Sequence, residues 1–213
     1  RSAALHCAQR MHSQFDVVII GGGLVGLALA RALAGSGLTQ ALIEPQPPAP
    51  PPTGADWDSR VYALSPGSAA FLESCGAWQR LLPERIARVE RMRVYGDDPG
   101  ACIEFSAYDA GMRELAFIIE NGRLHHALQE AAGEHELRVH CPARWSTLEF
   151  HDDHAAIGLE DGTELAARLV IGADGAESRV RRHAGIAVHA ADYRQLGVVA
   201  NFSCEKSHGD TAH

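Results

Sequence analysis

The segment Phe15-Asp16-Val17-Val18-Ile19-Ile20-Gly21-Gly22-Gly23-Leu24-Val25-Gly26 passes from an apolar stretch through a glycine turn into a helical pattern, and few folds accommodate it. A short apolar run closed by a turn signal fits a strand buried on both faces of a parallel sheet. Gly21, Gly23 and Gly26 keep the G-x-G-x-x-G spacing. In that spacing the first glycine makes the tight turn, the second lets backbone amides approach a pyrophosphate, and the third permits close packing of helix on strand. The unpaired amides and positive dipole end of the helix starting near Leu24 would then stabilise phosphate.

The surrounding sequence supplies the context the motif needs. A helix over residues 24 to about 36 leads to a short strand, Gln40-Ala41-Leu42-Ile43, which ends in Glu44. An acid roughly 20 residues beyond the glycines is placed to hydrogen-bond a ribose hydroxyl. Residues 17–30 are uncharged and follow a basic leader, as in a secretory signal, but three consecutive glycines, Asp16 and the acid-ended second strand argue against one. Arg31 ends the apolar stretch short of the roughly 20 residues a membrane-spanning helix needs.

Composition narrows the class further. With 213 residues, 46% of them hydrophobic, the chain can bury a sizeable core in one or two domains. A net charge of −8 argues against a nucleic-acid partner, because phosphate backbones demand clustered cations. The five cysteines are widely spread and form no C-x-x-C pair, which points to reduced thiols in a cytoplasmic setting. The histidines lack an H-E-x-x-H frame, so no metal site is expected. Residues 1–14 carry no acid and read as a leader, a cloning scar or part of a transit peptide. The last residues, ending at His213, hold no terminal element, which suggests truncation.

Between these ends, the proline-rich residues 45–52 imply an exposed extended loop. Ser65 and Pro66 open a helix that Gly76 ends, and residues 81–86 suggest a short helical turn. Residues 89–94 and 101–105 alternate across a turn, as in a hairpin. A buried strand at 115–119 precedes a helix over 121–132. Short strands follow at 137–140, 145–150 and 155–159, the last pairing with 165–167 across Asp161-Gly162. A further strand is expected at 169–175 and another at 198–202.

The run Leu169-Val170-Ile171-Gly172-Ala173-Asp174-Gly175 continues into Ala176-Glu177-Ser178-Arg179-Val180-Arg181. A strand presenting an acid and a glycine before a helix lies where ligands bind in open parallel sheets. Asp174 can either reach a ribose or bound water there, or cap the helix, and the residues alone leave both open. This G-A-D-G-x-x-S-x-V-R segment, with the early G-x-G-x-x-G, resembles the class A flavoprotein monooxygenases, the group that includes p-hydroxybenzoate hydroxylase. Asp58-Ser59-Arg60-Val61-Tyr62-Ala63-Leu64-Ser65 and Ile119-Glu120-Asn121 look further like the ubiquinone-biosynthesis aromatic-ring hydroxylases. The resemblance covers residues 15 to about 201, and the family's G-D-A-x-x-x-x-P segment is not among them, so by this resemblance the sequence looks like an amino-terminal half.

The resemblance implies an α/β fold, a Rossmann-like FAD/NAD(P)-binding domain (15–87 and 119–185) interrupted by segments of a β-rich substrate domain (88–118 and from 186). It implies FAD as cofactor and NAD(P)H as electron donor. By the same resemblance Gly21, Gly23 and Gly26 line the pyrophosphate, Glu44 meets the adenosine ribose, Arg60 and Asn121 contact FAD, and Asp174 carries a motif linked to both FAD and NAD(P)H. Arg60 read alone could equally be a surface cation, although guanidinium suits phosphate. The implied reaction hydroxylates an aromatic ring, using molecular oxygen, on a polyprenylated phenol, with peripheral membrane or biosynthetic-complex association. No catalytic residue is named, since the flavin carries the hard chemistry. The alternatives are an FAD oxidoreductase of prenyl-reductase type and a non-catalytic fragment.

Overall fold

The computed structural model describes residues 13–47, 49–50, 57–98 and 100–213. The expected leader falls outside these apart from its last two residues, as do Pro48, Pro51 and Pro52 of the proline-rich loop and Pro99 of the hairpin turn. The first half contains β1 (Ser13–Ile20), α1 (Leu24–Ala32), β2 (Gln40–Ile43), β3 (Val61–Leu64), α2 (Pro66–Ser74), β4 (Ala87–Val89), β5 (Arg91–Tyr95) and β6 (Cys102–Ser106). The second half contains β7 (Ala116–Glu120), α3 (Asn121–Gly133), β8 (Leu137–His140), β9 (Trp145–Phe150), β10 (Ala155–Leu159), β11 (Glu164–Gly172), α4 (Arg179–His183) and β12 (Thr211–Ala212).

The chain divides into two compact units. The first comprises the described residues of Arg1–Gly26, Leu33–Pro47 and Glu136–Ala187. Its six-stranded sheet has the order β8-β2-β1-β11-β10-β9, with β8, β2, β1 and β11 parallel and β10 and β9 antiparallel additions. β1 lies at the centre of the parallel part, and Val17, Val18, Ile19 and Ile20 are all buried, which is why its sequence is continuously apolar rather than alternating. Val18 and Ile20 share one core with Ile43, Leu148, Ile157 and Leu165. Burying side chains of this size stabilises by about 1.5–3 kcal/mol each, before the entropy of ordering them.

The second unit comprises Leu27–Ala32, Val188–His213 and the described residues of Pro48–His135. It holds two three-stranded sheets, β3-β7-β4 and β12-β5-β6. α2 forms as its sequence implies: Ser65 accepts the Ser68 amide at 3.2 Å and Pro66 takes the first turn, where a missing N–H costs nothing. The helical turn expected near 81–86 is a 3-10 turn over Pro83–Arg85.

Four expectations change. α1 ends at Ala32, because a turn through Gly35 and Gly37 takes over. Ser13 and Gln14 belong to β1, pairing with Leu165 and Ala166. The segments expected at 165–167 and 169–175 are one strand, β11, which ends at Gly172 and leaves 173–175 in the loop beyond it; β1 pairs with it from Leu165 to Gly172, while only its first half pairs with β10. Residues 198–202 form no strand: no neighbouring strand stands beside them among the described residues, and Val198 and Phe202 are 91% and 84% exposed. Thr211–Ala212 instead pairs with Arg91 and Met92.

Candidate functional site

Three adjacent parallel strands, β2, β1 and β11, finish side by side in the first unit, and the loops leaving them build one corner. The ladder extends one step beyond the strands: the Gly21 amide donates to Ile43 at 2.9 Å and the Ala173 amide to Ile20 at 2.7 Å. Gly21 turns the chain at φ 115°, and a Cβ there would overlap the Ala173 carbonyl. A Cβ on Gly26 would overlap the Gly21 carbonyl, so this glycine brings α1 down onto the turn. Gly23 differs, because a Cβ on it would meet nothing within 4 Å. The protein therefore keeps Gly23 bare without needing its space for packing.

That space opens into a cleft of about 530 Å³ lined by Gly21, Gly23, Glu44, Asp174, Trp145 and Arg179, among others. α1 carries no acid in its first turn, so the positive end of its dipole is not neutralised by its own side chains. Glu44 stands just beyond β2, one carboxylate oxygen accepting the Gly22 amide at 2.6 Å and the other the Gln46 amide at 2.7 Å. These bonds fix its orientation and leave each oxygen a second lone pair for a hydroxyl. A bare corner, an open helix end and a fixed carboxylate one strand away fit the diphosphate and ribose of a dinucleotide.

For Asp174 the structure realises the capping role. Its carboxylate accepts the Ser178 hydroxyl, the Arg179 amide at 2.7 Å and the Val180 amide at 3.2 Å. Ser178 in turn accepts the Arg181 amide at 2.9 Å. Burial alone would raise the Asp174 pKa, but the Ser178 hydroxyl and the backbone amides outweigh it and hold the carboxyl below its ordinary value. Asp174 thereby sets the position of the α4 entry, and it also lines the cleft.

The predicted residues fall into two groups. Gly21, Gly23, Gly26, Glu44 and Asp174 come together in the first unit. Arg60 and Asn121 lie in the second, joined by the Asn121 amide donating to the Arg60 carbonyl at 2.9 Å. The Arg60 guanidinium rests 5.5 Å from the Tyr62 ring centre and has no carboxylate partner among the described residues. Sequence reasoning missed Arg144, Arg179 and Arg182, which line the cleft, and Trp145, over whose ring Arg179 sits at 4.5 Å. Arg179 and Arg182 belong to the basic run that begins four residues after Gly175, and that nearness to Asp174-Gly175 was the available signal. Among the described residues no His, Cys, Asp and Glu cluster could hold a metal ion.

Comparison with known proteins agrees with this geometry. The model of the FAD binding domain family matches residues 14–208. The 3-demethoxyubiquinol 3-hydroxylase of Escherichia coli is 35% identical over 197 residues, covering 92% of this chain and 50% of that protein. The mitochondrial ubiquinone biosynthesis monooxygenase COQ6 of Caenorhabditis elegans is 32% identical, covering 95% of this chain and 47% of that protein. The chain thus spans about half the length of the curated relatives it matches. Among solved structures, Pseudomonas aeruginosa PqsL in complex with 2-aminobenzoylacetate superposes with a TM-score of 0.68 at 25% identity, over 85% of this chain and 48% of that one. The p-nitrophenol 4-monooxygenase PnpA of Pseudomonas putida shares the fold, with a TM-score of 0.66 at 22% identity, over 82% of this chain and 44% of that one. A mixed α/β sheet with its glycine corner at the carboxyl edge, and a family match across nearly the whole chain, give one assignment: the chain belongs to the FAD binding domain family.

Proposed function

We propose that the protein of which this chain forms part is an FAD-dependent monooxygenase that hydroxylates an aromatic ring, with a polyprenylated phenol of ubiquinone biosynthesis as substrate and NAD(P)H as electron donor. The observation that carries this reading is the open glycine corner in a chain similar, over about 90% of its length, to the ubiquinone hydroxylases. Bound FAD would supply the electron transfer and oxygen activation. This chain's part is to bind and orient: the α1 amides and the open face of Gly23 hold the diphosphate, and Glu44 accepts from the adenosine ribose. Arg60 and Asn121 are further cofactor contacts, and Asp174 fixes the loop after β11. A prenylated substrate would be met at a membrane surface, because its apolar tail partitions there; no helix among the described residues is long and apolar enough to cross a membrane.

The test uses the full-length protein, NAD(P)H and isotopically labelled oxygen. One labelled atom per molecule of hydroxylated phenol is the expected product. Consumption of NAD(P)H with a reduced prenyl chain and no label would replace this reading with the prenyl-reductase one. Within the site, Glu44→Ala should weaken FAD binding by about 1–2 kcal/mol, the scale of one charge-assisted hydrogen bond. A titration of the apoprotein giving the wild-type dissociation constant would remove Glu44 from the ribose contact.

A further inference from the structure

Among the described residues the second unit holds a buried ionic cluster, and it stands where the chain segments of Arg60 and Asn121 meet. Glu120, 3% exposed, closes β7 and accepts hydrogen bonds from two Arg85 nitrogens at 2.8 Å, from Arg123 Nε at 2.9 Å and from the Asp58 amide at 2.8 Å. The Arg85 guanidinium lies 3.6 Å from the centre of the Trp57 ring. Held in this way, Asp58 spends its own carboxylate on two further amides: Oδ1 accepts from Arg60 at 2.9 Å and Oδ2 from Gly122 at 3.1 Å. The Arg60 carbonyl then accepts the Asn121 amide at 2.9 Å, closing a ring of bonds between residues 58–60 and 120–122.

The ring has a local logic. Glu120 is the residue before α3 and gives that helix no side-chain cap. Asp58 supplies the missing acceptor from more than sixty residues away in sequence, and its other oxygen makes a turn with Arg60, two residues on. A buried carboxylate between guanidiniums is a poor way to gain stability, because apolar residues of similar volume often do as well. What such a network does provide is a single geometry for the backbone it touches.

We propose that Asp58 is a positioning residue for the cofactor contacts of Arg60 and Asn121: by binding the Arg60 amide on one oxygen and the Gly122 amide on the other, it presents the two side chains as one preset pair. This rests on the reading of Arg60 and Asn121 as FAD contacts, and it adds that neither works at full strength unless the Asp58 carboxylate is in place. Asp58→Asn turns one of the two acceptors into a donor facing an amide N–H, so one side of the ring opens while side-chain volume is kept.

In the full-length protein, Asp58→Asn should raise the FAD dissociation constant about tenfold, read from quenching of flavin fluorescence, equivalent to about 1.4 kcal/mol. Thermal melting of the apoprotein should stay near that of wild type. In an Arg60→Ala/Asn121→Ala background the same change should cost nothing further. A wild-type constant for Asp58→Asn beside a weakened Arg60→Ala overturns the positioning role and leaves the Arg60 contact standing. A loss that persists undiminished in the double-variant background overturns it as well, since the effect then bypasses the pair. Wild-type binding by the Arg60→Ala/Asn121→Ala protein removes the cofactor reading of those residues, and the proposal with it. Should Asp58→Asn not fold, Asp58→Ser, which can still accept one amide, enters the same cycle.

Discussion

Gly23→Val should give a folded protein that retains no FAD. A Cβ at Gly23 meets no protein atom within 4 Å, so a side chain can leave the backbone there without a clash at its first atom. The volume it fills is the opening between the α1 amides and the cleft, where a diphosphate must approach the backbone closely. The dissociation constant should rise at least about a hundredfold, roughly 3 kcal/mol, with apoprotein melting unchanged. Fluorescence titration and circular dichroism measure the two separately. A folded variant that binds FAD like wild type would show that the corner does not cradle phosphate.

Glu120→Ala should cost folding stability directly, measured on the apoprotein. It leaves the Asp58 amide without its acceptor and takes from Arg85 and Arg123 the carboxylate they share. Removing one partner of a buried ion pair costs about 3–5 kcal/mol, far more than the net worth of the intact pair. Urea unfolding of the apoprotein should show that loss, and a change below about 1 kcal/mol would mean that water or a rearranged loop satisfies the guanidiniums. The effect depends on pH with a definite sign. Burial alone would raise the Glu120 pKa, but hydrogen bonds from Arg85 and the Asp58 amide, with the charges of Arg85 and Arg123, bring it below the ordinary 4.5. A carboxyl whose folded pKa lies below its unfolded one stabilises fully above the unfolded value and loses this as pH falls through the folded one. The gap between wild type and Glu120→Ala should therefore be widest above about pH 4.5 and narrow below it.

Much of the first unit was legible because its signals are local. The apolar run before Gly21, the spacing of three glycines, and Glu44 at the end of a four-residue strand are each read within a few residues. The capping bonds of Asp174 were not, since in sequence an acid before a helix serves a ligand or a cap with equal ease, and the amides of Arg179 and Val180 that it accepts are brought to it by the fold. β11 was broken in two because Asp161-Gly162 announces a hairpin that accounts for only its first half, while the rest is held by β1. The strand expected at 198–202 failed for the converse reason: β-propensity is fitness for a pleated surface, and no such surface lies beside those residues. The Asp58 and Glu120 ring lay beyond sequence reasoning altogether. Its members are separated by more than sixty positions, and Glu120 looked like no more than the residue before Asn121.

The pairing of β1 with β11 bears on how the molecule is made. Ser13 finds Leu165 and Ile20 finds Gly172, so β1 waits until residues 165–172 have been made for the neighbour that seals one of its edges. Until the ribosome has released residue 172, that edge is open to wrong partners, and sheets joined across such distances close slowly. The step that covers this edge is also the step that brings Ala173 and Asp174 against the glycine turn, so the cofactor corner and protection of β1 from wrong partners arrive together.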